Sequence, residues 1–437
     1  MNIIDRAKSF VHSLEALARK TAWDWRECPR CGKDDTIKHG TYTVHPWFLD
    51  GRREVVIQRH YCRDCRRTYS EASPYLVRGS WYAREVHRYG VDLWQHGRGS
   101  LRRVAEFTRS LLGHQERWLI WCLFAPEPDE ARKCKLSAST LYRWLDRAGE
   151  SAKGTVKGQL EGAKTSGEVG VDGLWAKLRG GAEGKVKRVV LVLVDSVTGL
   201  IYPPVVVEGE EGEQPWKKLF KRAKRAGLPI ARLRGVTSDG ASGFLGFLRS
   251  TLYFVNHQRC VFHIWRSLGG ELAKAVAEGA KDLVGDAAKD AAKEARKAAR
   301  KELVSLIHQV LDAKSEVEAE RALAVLKAHR LGGRLALLIE EHLDAALVYL
   351  NGYNKGLVRV GPEWLWRDFR QRVSRGRNQG SDERLERAAL VWQVYANFTP
   401  AQRRKERKRK YKRPGKTSLE LAGLPPGSLS YLDALGV

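Results

Sequence analysis

Two aspartates stand within or at the end of strand-like runs. In GEVGVDGLWAKLR, Asp172 lies inside an alternating run; in GVTSDGASGFLGFL, Asp239 marks the point where a buried strand gives way to a Gly-flanked turn and then a helix. Carboxylates brought together repel unless a cation lies between them. Hard divalent ions prefer oxygen ligands, and Mg²⁺ is usually held by one or two carboxylates plus phosphate oxygens. Two such ions about 3.5–4 Å apart activate the attacking oxygen and stabilise the leaving oxygen of an in-line phosphoryl transfer. Gly173 and Gly240, each beside an Asp, are expected to leave room for a nucleic-acid backbone. Taken singly, each Asp is equally a turn cap; the pair, on these strands, reads as catalytic. Asp195, before a Thr-Gly turn, reads as a turn residue.

A second set of residues suits a different metal. CPRC and CRDC place Cys28, Cys31, Cys62 and Cys65 in two C-x2-C turns, separated by the strand-like TYTVHPWFL and REVVIQRHY. Four thiolates suit tetrahedral Zn²⁺, and two such turns on a hairpin make a zinc ribbon. The shell is complete, so the zinc is structural, and His39 and His60 read as surface or packing residues. Cys122 and Cys134 lack a partner pattern and read as packing residues.

The acids need strands to hold them. Residues 167–207 alternate as three strands joined by short connections, which favours an antiparallel meander. EQPWKKLFKRAKRAGL follows as an amphipathic helix with Trp216, Leu219, Phe220 and Ala223 inward, and IARLRGVTSDG is a further strand. Three strands, a helix and a strand is the order of a ribonuclease-H-like core, in which the first and fourth strands lie side by side and parallel. Upstream, GSLRRVAEFTRSLLG is capped by Ser100, and LSASTLYRWLDRAGE starts at Ser137 and is expected to stop at Gly149. The second helix, with Ser139, Thr140, Tyr142 and Arg143 on its exposed side, resembles a helix-turn-helix reader, although the intervening segment is longer than a turn. An all-helical linker domain is the plain alternative.

The totals agree with a nucleic-acid partner. Lys+Arg number 78 against 51 Asp+Glu, a formal charge of +27 over 437 residues, while 43% of residues are hydrophobic. Real cores are therefore expected, together with an acidic partner, for which DNA is favoured over an anionic membrane surface. No apolar run approaches the ~20 residues of a membrane span, and MNIIDRAKSF lacks a signal-peptide core, so a cytoplasmic, nucleoid-associated protein is expected.

FLRSTLYFVNHQRCVFHIWRSL, after Asp239, carries Cys260-x2-His263. With the two acids, this resembles a DDE transposase of a bacterial insertion sequence, of the IS256- and Mutator-like group. In that group a helical insertion separates the C/H signature from the final catalytic Glu, and residues 271–350 are rich in Ala, Lys, Glu and Leu with helical periodicity. The resemblance implies Glu363 as the third acid, followed by the basic Arg367 and Arg370. The group often carries Asn or Thr ahead of this Glu; here Val-Gly-Pro stands there, which leaves Glu383 and Glu386 as competitors. Cys260 and His263 are read as packing near the catalytic core. Trp364 and Trp366 suit either base stacking or core packing.

The organisation expected is a multidomain α+β chain. It comprises a zinc ribbon with an N-terminal helix (1–78), a helix-turn-helix-like domain (79–160) and a ribonuclease-H-like core (165–268). An α-helical insertion (269–352), the closing helix of the core (353–400) and a basic tail (401–437) follow. The expected activity is binding of transposon terminal inverted repeats, then metal-dependent strand cleavage and transfer. Asp172, Asp239 and Glu363 would hold two Mg²⁺ (or Mn²⁺) ions, with Zn²⁺ in the ribbon. A homodimer or larger synaptic assembly is implied by the resemblance. The alternatives are a ribonuclease-H-like nuclease and a catalytically inactive DNA-binding regulator of transposase descent.

Overall fold

The computed structural model describes residues 26–97, 100–112, 134–179, 185–209, 212–284, 289–352, 357–374, 380–400, 415–427 and 429–437. The expected N-terminal helix, Cys122, most of the segment between the helices capped by Ser100 and Ser137 and the heart of the basic run 403–416 lie outside these residues. The chain divides into two compact units. One is Met1–Thr155 with Phe369–Phe398 and Pro425–Val437; the other is Val156–Asp368 with Thr399–Leu424.

The first unit opens with β1 (Thr36–Val44), β2 (Trp47–Phe48), β3 (Gly51–Arg52), β4 (Val55–Cys62) and β5 (Arg67–Ser70). β4 pairs antiparallel with both β1 and β5. β1 is almost wholly exposed, and the buried side chains of this small sheet are His60 and Cys62, with Cys28 beside them. Such a sheet has little apolar core of its own. Next come α1 (Arg84–His96), α2 (Leu101–Leu111) and α3 (Ala138–Gln159). Ser100 caps α2 by accepting from the Arg103 N–H at 3.3 Å, and Ser137 accepts from the Thr140 N–H at 3.2 Å. Both caps are side-chain acceptors for otherwise orphaned N–H groups.

The second unit is built on a five-stranded sheet of β6 (Glu168–Arg179), β7 (Lys185–Asp195), β8 (Val205–Glu208), β9 (Gly235–Ser238) and β10 (Asn256–Arg259), in the order β10-β9-β6-β7-β8. β6, β7 and β8 form the antiparallel meander, while β9 pairs in parallel with both β6 and β10. β7 is buried from Val189 to Val194, as expected of a central strand covered on both faces. α4 (Glu213–Arg225) buries Trp216, Leu219, Phe220 and Ala223, and α5 (Ser242–Thr251) buries Phe244 and Phe247. The Trp216 and Phe244 rings meet edge to face at 4.9 Å. Asp195 is fully buried and accepts from the N–H groups of Ser166, Val197 and Thr198 and from the Ser166 and Thr165 hydroxyls, so it is a turn organiser.

After β10, α6 (Val261–Val284), α7 (Lys289–Leu311), α8 (Glu316–Ala328) and α9 (Gly333–Glu340) form a helical body. Ile264, Leu268 and Leu272 of α6 share one apolar cluster with Leu303 and Ile307 of α7 and with Leu326 and Ile339. α6 runs unbroken past residue 268, so the helix that begins at the C/H signature is also the first helix of this body. The buried Gln258 of β10 donates to the Ala346 carbonyl at 2.7 Å and accepts from the Tyr349 N–H at 2.9 Å, tying the body to the sheet.

α10 (Glu363–Phe369) is followed by a π-helical turn, Arg370–Ser374, and by α11 (Asp382–Phe398). In the first unit α3 does not stop at Gly149 as its sequence suggested. A Cβ on Gly149 would lie 2.5 Å from Arg387 Cβ and 2.8 Å from the Arg387 carbonyl, so this glycine lets α11 approach an uninterrupted helix. Arg387 bonds Asp146 through Nη1 at 2.8 Å across the same approach. The last residues are folded as well. Buried Arg88 of α1 donates to Asp433 at 2.6 Å, to the Val437 carbonyl at 2.8 Å and to Ser430 at 3.1 Å. No helix among the described residues is long and apolar enough to cross a membrane.

Candidate active site and metal centre

Asp172 and Asp239 are brought together by strand register. The parallel pairing of β6 with β9 ends at Gly170 opposite Thr237, and each Asp lies two residues beyond its member of that pair. Side chains alternate along a strand, so both carboxylates stand level and on one face. Asp172 is buried, accepting from the Gly173 N–H at 2.8 Å and from the indole N–H of Trp366. Asp239 accepts from the Ala241 N–H at 3.0 Å, at the turn into α5.

Glu363 reaches the pair because the chain before it is pinned at several points. The Val358 N–H donates to Glu168 at 3.0 Å, the Val358 carbonyl accepts from Thr237 Oγ1 at 2.5 Å, and the Arg359 carbonyl accepts from the Val261 N–H at 3.0 Å. The Gly361 N–H then donates to buried Cys260 Sγ at 3.2 Å. Gly170 completes the seat, since a Cβ there would lie 3.0 Å from Cδ of Pro362. Pro362 precedes the first residue of α10, where a fixed φ and a missing N–H cost nothing. The competitors Glu383 and Glu386 lie on α11, within the first compact unit.

Gly240, at φ +75°, does not leave the open space beside Asp239 that its sequence suggested: a Cβ there would overlap the Arg259 guanidinium, which occupies that place. Cys260 is buried, and its Sγ lies within 4.8 Å of a donor atom of His263 and of Glu363. His263 Nδ1 is 3.1 Å from Glu363 Oε1, and one donor atom each from Asp172, Asp239 and His263 lies within 4.8 Å of the others. The C-x2-H spacing at the start of a helix was the signal available for His263. For Trp366 as a donor to Asp172 there was none, because an indole three residues past a Glu reads equally as packing. Trp366 is buried and is not a free stacking face; the Trp364 side chain lies outside the described residues.

The electrostatics follow from crowding. Burial first, then the neighbouring Asp239, raises the Asp172 carboxyl to about 6, against the lowering pull of the Trp366 indole. Burial, then the charge of Asp172, raises Glu363 to about 8, and burial lowers the His263 imidazole. Converging carboxylates are a donor set suited to a hard divalent cation, whose charge removes the repulsion that otherwise favours protonation.

The four cysteines also converge. Cys28 and Cys65 Sγ atoms are 3.7 Å apart, as are those of Cys31 and Cys62. A tetrahedron with ~2.3 Å metal–sulfur bonds has edges of about 3.8 Å, so the residues fit Zn²⁺ without rearrangement. The residue after the second cysteine of each pair takes a left-handed conformation, Gly32 at φ 70° and Arg66 at φ 54°. Burial raises the Cys28 thiol, but backbone hydrogen bonds at Arg30 and Cys31 outweigh it and bring it to about 7.

Of the residues expected to meet DNA, Ser139 and Arg143 are exposed on the first turns of α3, while Thr140 and Tyr142 are half-buried. Arg143 donates to Thr140 Oγ1 at 3.3 Å, and Arg384 lies 5.5 Å over the Tyr142 ring. Arg367 is exposed on α10, and Arg370 is exposed at the start of the π turn.

Residues 164–326 match the family model described as transposase, Mutator family. The match contains Asp172, Asp239, Cys260 and His263 and ends before Glu363. It supports the resemblance to Mutator-like insertion-sequence transposases drawn from the residues. No curated protein matched the chain.

Proposed function

We propose that this protein is a DDE-type DNA transposase that binds the terminal inverted repeats of its element and cuts and joins DNA strands at a ribonuclease-H-like site. The observation that carries this reading is the in-register pairing that sets Asp172 level with Asp239, with Glu363 delivered to the same cluster.

Asp172, Asp239 and Glu363 would hold Mg²⁺ or Mn²⁺, two ions in the usual arrangement. When bound, these supply activation of the attacking oxygen and charge stabilisation of the leaving oxygen. The protein's own part is placement. Trp366 and the Gly173 N–H fix the Asp172 carboxylate, Cys260 fixes the turn that delivers Glu363, and His263 stands beside Glu363 with Nδ1 3.1 Å from Oε1. Hydrolysis at an element end would free a 3′-OH, and attack of that hydroxyl on target DNA would use the same in-line geometry. The four-cysteine site would be a structural zinc ribbon. The exposed start of α3, with Ser139, Thr140, Tyr142 and Arg143, would join it in end binding in the manner of a helix-turn-helix, and Arg367 and Arg370 would contact DNA phosphates. A homodimer or larger synaptic complex is the assembly this reading requires.

The test is cleavage of a labelled duplex carrying the DNA that flanks the reading frame, with Mg²⁺ or Mn²⁺. Cuts at the element's ends should vanish in Asp239→Ala and in Glu363→Ala. Cuts surviving Glu363→Ala would transfer the third ligand to Glu383 or Glu386. Binding without cutting in either metal would overturn the enzymatic reading.

A further inference from the structure

In the first unit, outside the acid site, a cleft of about 460 Å³ opens between the segment around Trp81 and the first turns of α3. Its lining includes Arg52, Lys135, Arg143 and Arg147, and no carboxylate. Among the described residues none of these four cations is paired with an Asp or Glu. In a folded protein, uncompensated positive charge lining a concavity marks where a polyanion is received.

Trp81 gives the cleft its second property. Its side chain is 73% exposed, although the backbone around it is fixed: the Trp81 carbonyl accepts from the Trp47 N–H, and the Trp47 carbonyl accepts from the Ala83 N–H, each at 2.8 Å. A solvent-facing indole on a fixed backbone has no core to fill. It offers a flat π-face, which stacks on any nucleobase with little dependence on sequence. The opposite wall is braced too, since Trp144 is buried and stacks on His87 at 4.0 Å.

Size decides what form of nucleic acid enters. The cleft is equivalent to a cube roughly 8 Å on edge, narrower than the ~12 Å major groove of a duplex. It accommodates one small organic group, within the range typical of ligand sites. We propose that this cleft takes a single unpaired nucleotide of the bound DNA, its base stacked on Trp81 and its phosphates met by Arg143, Arg147 and Arg52. The inference rests on the DNA-binding reading above, and adds that one nucleotide leaves the duplex stack.

The test uses the full chain and three fluorescein-labelled probes: a blunt duplex, the same duplex with one unpaired thymidine, and a short thymidine single strand. Binding is followed by anisotropy over a range of salt. Wild type should prefer the two probes with an unpaired base. Trp81→Ala should weaken those two by about tenfold, leave the blunt duplex unchanged and preserve the salt slope, with Trp81→Phe restoring most of the loss. Arg143→Ala and Arg147→Ala should each reduce the salt slope by about one. Wild type that binds all three probes with equal affinity, or Trp81→Ala that matches wild type on the unpaired probes, overturns the cleft assignment and leaves DNA binding standing. Wild type that binds no probe overturns both readings. Trp81 is largely exposed, so its loss removes no core contact.

Discussion

Trp366 donates its indole N–H to Asp172, so a residue on α10 holds the orientation of a carboxylate on β6. Glu363 begins the same helix, and one short element therefore carries both Glu363 and the donor that steadies Asp172. Donors that hold a metal-binding side chain in place typically contribute 10–100-fold to metal affinity or activity. Trp366→Phe keeps the buried ring and removes the donor. It should raise the Mn²⁺ concentration needed for half-maximal cleavage by about 10–100-fold while leaving DNA binding intact. An unchanged metal requirement would show that the indole only fills space.

The sheet of β1, β4 and β5 is predicted to depend on a metal held by the four cysteines. β1 is almost wholly exposed, and the buried side chains at the sheet are His60 and two of the four cysteines, so little apolar area supports it. Small metal domains of this kind are commonly unfolded without their ion. Zinc analysis of the purified chain should find one ion per chain, and Cys62→Ser should lose both the ion and protease resistance over residues 26–70. Retention of the ion by Cys62→Ser would place the metal elsewhere.

Gly149 and Gly154 lie on the same helix and should respond oppositely to alanine. At Gly149 the new methyl meets the Arg387 backbone, and overpacking of about 1–3 kcal/mol exceeds the ~1 kcal/mol gained in helix propensity. At Gly154 nothing lies within 4 Å, so only the propensity gain of ~1 kcal/mol remains. Thermal melts should show Gly149→Ala lowered and Gly154→Ala raised. The same sign for both would mean that α11 does not press on α3 at this point.

His87 should make the first unit acid-sensitive. Burial first, then the charges of Arg147 and Arg84, lowers its imidazole to about 3 from an ordinary 6.5. It is held neutral against Trp144, with Ser80 Oγ at 2.8 Å. The unfolded chain therefore binds the proton first. The stabilisation is complete above pH 6.5 and is lost as pH falls toward 3, with a limiting slope of about 1.4 kcal/mol per pH unit. His87→Gln, which cannot titrate, should melt less steeply with pH than wild type between 6.5 and 4. Parallel curves for the two proteins would remove His87 from the account.

Local chemistry was legible in the residues. The two C-x2-C pairs name four ligands because a tetrahedral shell needs only close spacing within each knuckle. The β6–β7–β8 meander and the inward face of α4 follow from periods of two and 3.6. The resemblance, resting on Asp172, Asp239 and Cys260-x2-His263, is matched by the Mutator-family domain over residues 164–326. The end of α3 was not legible, because a glycine read as a stop is the same residue that admits a neighbouring helix, and that helix lies more than two hundred residues away in the chain. Nor was the Arg259 side chain over Gly240, since a missing Cβ leaves room without saying for what. The chain by itself thus determined which groups can bind metal and which segments are strands or helices, because those depend on neighbours a few residues away. The ribonuclease-H-like strand order already put the strands of Asp172 and Asp239 side by side. Only the tertiary structure decided that His263 and Trp366 join them and that Trp81 faces a cationic cleft, because each depends on elements packed together across long stretches of sequence.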